Sequence, residues 1–152
     1  MNSKLLLTVL TVLVFASAPL GRAAEDDSAI LQTLGYTTGQ SVLITHMAVG
    51  TLADAFVAKT YKSGEATTFV ATYIDITKGM KEQMSKLLQA DTLDKSDAQF
   101  IRSTIEVLDL VLKESSALKA FVSSGSDADA TSYDKARKKA LKEIKTLLQM
   151  KD

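Results

Sequence analysis

Residues Ser41 to Tyr61 read SVLITHMAVGTLADAFVAKTY. Set at about 100° per residue, Val42, Thr45, Val49, Leu52, Ala53, Phe56 and Val57 share one broad face, the period of an α-helix that buries a side. His46, the single histidine of the chain, falls near the middle of that face, with the small residues Gly50 and Ala53 beside it. The far side is nearly as apolar. It carries Ile44, Met47, Ala48, Ala55 and Ala58, and only Thr51, Asp54, Lys59 and Lys62 relieve it. A helix apolar nearly all round is covered nearly all round. Ile44, Met47, Ala48, Thr51 and Ala55 therefore form a candidate interaction surface. Its cover is the preceding segment through Ile30, Leu31 and Leu34, a second copy of the chain, or a partner protein.

Outward from this stretch the sequence divides into further helical units. On the N-terminal side, Ser28–Leu34 reads as a short helix ended by Gly35, and Tyr36–Gly39 as a break. The long helix then runs from about Gln40 to Tyr61 and stops at Ser63-Gly64. A second runs from about Glu65 to Ala90, with Phe69, Tyr73, Ile76, Met80, Met84 and Leu87 recurring at spacings of three and four. Gly79 inside it either weakens the helix or admits a neighbouring backbone. After the connection Asp91–Lys95, Ser96 and Gln99 fit a capping box. The third helix reaches about Val122, with Ile101, Ile105, Leu108, Leu112, Leu118 and Val122 inward. Ser123–Asp129 reads as a loop. The last helix runs from about Thr131 to Met150, with Tyr133, Ala136, Ala140, Ile144, Leu147 and Leu148 inward. Its outer face is basic, through Lys135, Arg137, Lys138, Lys139, Lys142 and Lys145, and a like-charged face of this kind is solvated. No strand-like alternation appears. The pattern predicts an all-α, antiparallel up-down-up-down four-helix bundle with a short N-terminal helical segment.

The first residues have a different character. A basic start at Met1–Lys4, an apolar run from Leu5 to Leu20 and small residues at Gly21 and Ala23 make the pattern of a secretory signal peptide cleaved after Ala23. The run falls short of the ~20 apolar residues of a spanning helix. Residues 1–23 are thus expected to be removed, leaving 24–152 as one domain long enough for a real core. Within it no segment reads as a membrane span; Val42–Ala58 comes closest but carries His46 and Asp54. The chain has no cysteine, so it holds together without disulfides or thiolate metal sites. This fits an exported protein of a bacterial periplasm or envelope.

The chain has 18 basic and 18 acidic residues, and a balance this even argues against a nucleic-acid partner. A hairpin closing at Ser63–Glu65 brings the level of His46 to that of Glu82, with Met80 and Met84 half a turn to either side. Imidazole and thioether sulfur together suit haem iron or copper(I). Covalent haem attachment is excluded by the absence of C-x-x-C-H. The plainer reading makes the methionines core fillers and His46 a buried residue satisfied by one hydrogen bond. A carboxylate-bridged di-metal bundle needs Glu-x-x-His pairs, and one histidine cannot supply them. No phosphate loop, nucleophile elbow or catalytic triad is present. The sequence therefore points to a non-catalytic binding or interaction module with an unknown protein partner or as a homodimer, and with no cofactor. The alternative is a haem or copper(I) bundle held by His46 with Met80 or Met84.

Overall fold

The computed structural model describes residues 23–90 and 93–150. These residues form four α-helices and no strand: α1 Ala23–Val57, α2 Ser63–Gln89, α3 Lys95–Ser124 and α4 Asp127–Leu147. The expected signal peptide falls almost entirely outside the described residues, as do Asp91 and Thr92 of the expected α2–α3 connection.

The helix ends follow local chemistry. Lys59 takes a left-handed φ of 59° just past the end of α1. At the start of α2 the Glu65 carboxylate accepts the Lys62 backbone N–H at 2.9 Å, half of a capping box. Asp94, rather than Ser96, caps α3. Its carboxylate accepts the Asp97 backbone N–H at 2.8 Å, and Ser96 Oγ donates to the same oxygen. The expected loop at Ser123–Asp129 contracts to Gly125 and Ser126. Gly125 closes α3 in the left-handed region at φ 65°, and Ser126 accepts the Asp129 N–H to open α4. Glycine adopts that φ without strain, which permits so short a link.

The expected break at Tyr36–Gly39 is absent. The short N-terminal segment is continuous with the long helix, and α1 runs unbroken through Gly35 and Gly39. These glycines are sites of close approach. A Cβ on Gly35 would lie 3.3 Å from Phe100 Cε1, and one on Gly39 would lie 2.5 Å from Leu148 Cδ2. Side chains of α3 and of the residue that ends α4 pack onto bare backbone there, and that packing outweighs the weak helix propensity of glycine. Gly79 behaves oppositely, with nothing within 4 Å of a Cβ built on it. It brings no neighbouring backbone close.

Two apolar clusters fill the interior. One joins Val49, Leu52 and Ala53 of α1 to Ala66 and Val70 of α2, Leu118 and Val122 of α3 and Tyr133 of α4. The other joins Val42 to Met84, Ile101, Val107, Leu108, Val111 and Ile144. Each thus takes one end of every helix. Helix α1 packs against all three others, whereas α2 and α4 do not meet. Helix α1 therefore lies over α3, flanked by α2 and α4.

The buried faces differ from the expected stripes in part. On α2 the buried residues are Ala66, Val70, Thr77 and Met84, while Phe69 and Ile76 are 41% and 51% exposed. The α2 stripe is wider than the groove it fills, and its excess faces out. On α3 the buried seam includes Thr104, Val111, Glu114 and Ser115, whereas Ile105 and Leu112 are half-buried. On α4, Tyr133, Ala140 and Ile144 are buried as expected.

Candidate functional site

Helix α1 presents two faces with different chemistry. The inner face holds His46 between Val42 of one cluster and Val49 of the other. Its Nδ1 lies 2.8 Å from Glu114 Oε2 of α3, and both side chains are buried. With the carboxylate ionised, Nδ1–H donates to it. Glu114 holds the equivalent place on α3, between Val111 and Leu118. Arg137 lies between Tyr133 and Ile144 on α4, and Thr77 between Val70 and Met84 on α2. Each helix thus contributes a polar residue to a layer separating the two apolar clusters. Thr77 is satisfied locally, its hydroxyl donating to the Tyr73 carbonyl at 2.7 Å.

Arg137 belongs to this layer and not to the solvated basic face where the sequence places it. It is half-buried against α1 at Gly50, where a Cβ would stand 2.6 Å from its Nη2. Its Nη1 is 3.9 Å from the exposed Asp54 carboxylate. Burial pushes the Glu114 carboxyl above its ordinary value, and the hydrogen bond to His46 and the charges of His46 and Arg137 oppose that rise. Burial also raises the Tyr133 phenol, with Arg137 opposing it. Glu114 Oε1, Ser115 Oγ and Tyr133 Oη are buried without a hydrogen-bond partner. The layer is therefore costly to keep dry, and the His46–Glu114 hydrogen bond at its centre is its main compensation.

The other residues of the expected metal or haem set, Met80 and Met84, belong to the apolar cluster that includes Val42, four residues before His46 on α1. Met84 is buried in the cluster with Val42 and Ile101, and Met80 packs against that cluster half-buried. Glu82, expected at the level of His46, is exposed and pairs with Lys86 at 2.7 Å. Among the described residues no three His, Cys, Asp or Glu side chains gather as a metal-holding group. Glu114 is the residue that sequence reasoning missed. A carboxylate in the seam Val107–Val111–Leu118 is the signal that marks it.

The outer face of α1 is exposed and free of charge. Ile44 is 64% exposed and Met47 60%, with Ile30 and Tyr36 likewise in solvent. Thr51 is exposed, and Ala48 and Ala55 are half-buried. No Asp, Glu, Lys or Arg occurs between Asp27 and Asp54. The preceding segment does not fold back over this face, because it is part of the same helix. Beside it, Ala48, Thr51 and Ala55 floor a groove of about 330 Å³ walled by Tyr61, Phe69 and Tyr73. The Tyr61 and Phe69 rings lie 5.3 Å apart. By length and composition Ile30–Val57 is sufficient to cross a membrane, contrary to the expectation for the chain beyond residue 23. About 39% of its most apolar window is buried inside the fold.

No protein-family model, no curated protein and no solved structure matches the chain.

Proposed function

We propose that this chain is an exported, non-catalytic binding module that engages its partner through the outer face of α1. The observation that carries the reading is the exposure of Ile44 and Met47 on a helix face without a charge over 26 residues. Soluble proteins seldom leave a long uncharged helix face in water unless another surface covers it. The apolar start of the chain, with its small-residue exit, supports export to a bacterial periplasm or envelope. We infer further that the helices alternate in direction as an up-down-up-down bundle, a reading supported by the Ser63 hydroxyl at the start of α2 donating to the Val122 carbonyl near the end of α3. The test is co-purification of the protein and its Met47→Glu variant from the native compartment. The reading expects the variant to keep its helical circular dichroism and lose its associated species. An unchanged set of associated species would overturn it.

One observation favours a second reading, a haem or copper(I) site at His46 with Met80 or Met84. A histidine that binds a metal commonly donates its other ring N–H to a carboxylate. The His46–Glu114 pair has that form, with Nε2 as the remaining ligand atom. A Soret band or a stoichiometric copper signal, lost in His46→Ala, would establish it. A colourless, metal-free protein would leave His46 to its structural role.

A further inference from the structure

The geometry points to a second copy of this chain as the occupant of the α1 outer face, packed α1 against α1 about a two-fold axis near Ile44. This rests on the reading of that face as a binding surface and names its partner. Three observations on charge, shape and size carry it.

Charge decides first. A two-fold interface sets one patch against itself, so every charge in it meets or neighbours its like. The face centred on Ile44, from Ile30 to Ala55, carries none of Asp, Glu, Lys or Arg; Asp54 lies at its margin. The adjoining stripe of α2 through Phe69, Thr72 and Ile76 is uncharged as well. By contrast, the outer face of α4 carries Lys138, Lys142 and Lys145, which would repel their own images.

Shape agrees. In an antiparallel α1 pair centred at Ile44, a residue before the centre meets one equally far beyond it. Tyr36 of one copy then falls at the level of Leu52 of the other, and Ile30 at that of Ala58. The groove floored by Ala48, Thr51 and Ala55 and walled by aromatic rings lies at that level. Tyr36, 70% exposed, would reach it from the second copy, and a large amphipathic ring entering a small-residue groove is a common interface anchor.

Size is sufficient. Residues 30–57 of α1 span roughly 40 Å at about 1.5 Å per residue. At about one helix diameter, 10 Å, in width, with the shorter stripe 69–76 of α2 beside it, the patch covers on the order of 500 Å², enough for a weak, concentration-dependent dimer at the small end of specific interfaces.

The experiment is sedimentation equilibrium on the purified protein, alongside single-cysteine variants that the cysteine-free chain makes unambiguous. The proposal expects a concentration-dependent dimer. Met47→Glu should raise its dissociation constant about tenfold or more, because a charge is placed in the interface, while the helical spectrum is kept. Under oxidation Ile44→Cys should form a covalent dimer and Lys142→Cys should not. A monomer at all concentrations overturns the proposal. If that monomer sediments with neutral phosphatidylcholine vesicles, or cross-links from position 47 to a different protein, the second copy is ruled out while the binding role of the face survives. A monomer that does neither rules out both. A dimer unaffected by Met47→Glu, linking through Lys142→Cys, would place the interface on another face.

Discussion

At the scale of residues, the His46–Glu114 pair dominates the energetics of the interior. An imidazole and a carboxyl group withdrawn from water are satisfied only by each other. Removing one leaves the other buried and unpaired, so His46→Ala should cost about 1–3 kcal/mol in chemical denaturation. Replacing both with leucine should cost little or stabilise the fold, because the layer would then join two apolar clusters that already flank it. The pair also sets a pH dependence. Burial holds the Glu114 carboxyl above its ordinary value of 4.5, with His46 on α1 and Arg137 on α4 as the facing groups that oppose the rise. Folded Glu114 therefore keeps its proton where the unfolded chain has released it. Its contribution to stability is full below pH 4.5, declines as pH rises through the raised value, and is level above it. Glu82 and Asp94, which are exposed, and Asp129, which is half-buried, are shifted downward and act in the opposite sense at acid pH. The readout is thus the difference in unfolding free energy between the protein and Glu114→Gln, which should narrow as pH rises through that range. Glycine gives a contrast of sign. Gly79→Ala, open on all sides, should stabilise by about 1 kcal/mol through helix propensity. Gly50→Ala should fail to show that gain, because its methyl displaces Arg137 from beside Glu114.

At the scale of elements, α1 shows how far local sequence reaches. Its amphipathic period, its central His46 and its apolar outer side are all legible in residues 41–61. Its true start is not, because Gly35 and Gly39 carry the same local signature whether they break a helix or let Phe100 and Leu148 press against it. Only the partner helices distinguish the two. Glu114 escaped for a related reason. Its spacing from Val107, Val111 and Leu118 places it on the inward seam, but only a histidine across the bundle gives a buried carboxylate there its partner. On α2 the stripe was visible but too wide to orient, and packing settled which part of it turned inward. The two faces of α1 can be separated by substitution. Met47→Glu should change stability by no more than about 0.5 kcal/mol when the protein is monomeric, as surface changes usually do. Val49→Glu, two residues on and fully buried, should prevent folding. Thermal unfolding followed by circular dichroism distinguishes these outcomes.

At the scale of the whole molecule, the core is two apolar clusters joined through a polar layer, with α1 and α3 each packed against all the other helices. Truncating either cluster should be felt throughout. Ile144→Ala, at a site with no exposure, should cost about 2–5 kcal/mol in denaturant unfolding, whereas Leu112→Ala at its half-buried position should cost less. The inner face of α1 thus serves to seat the helix, and in the proposed reading its outer face is left for a partner. The most direct measurement of that division is site-specific photo-cross-linking, with a benzophenone side chain placed at Met47 and, separately, at Lys142 on the outer face of α4. Efficient adducts from position 47 and none from position 142 are the predicted result. Equal labelling from both positions, or none from 47, would contradict the assignment of the α1 outer face as the binding surface.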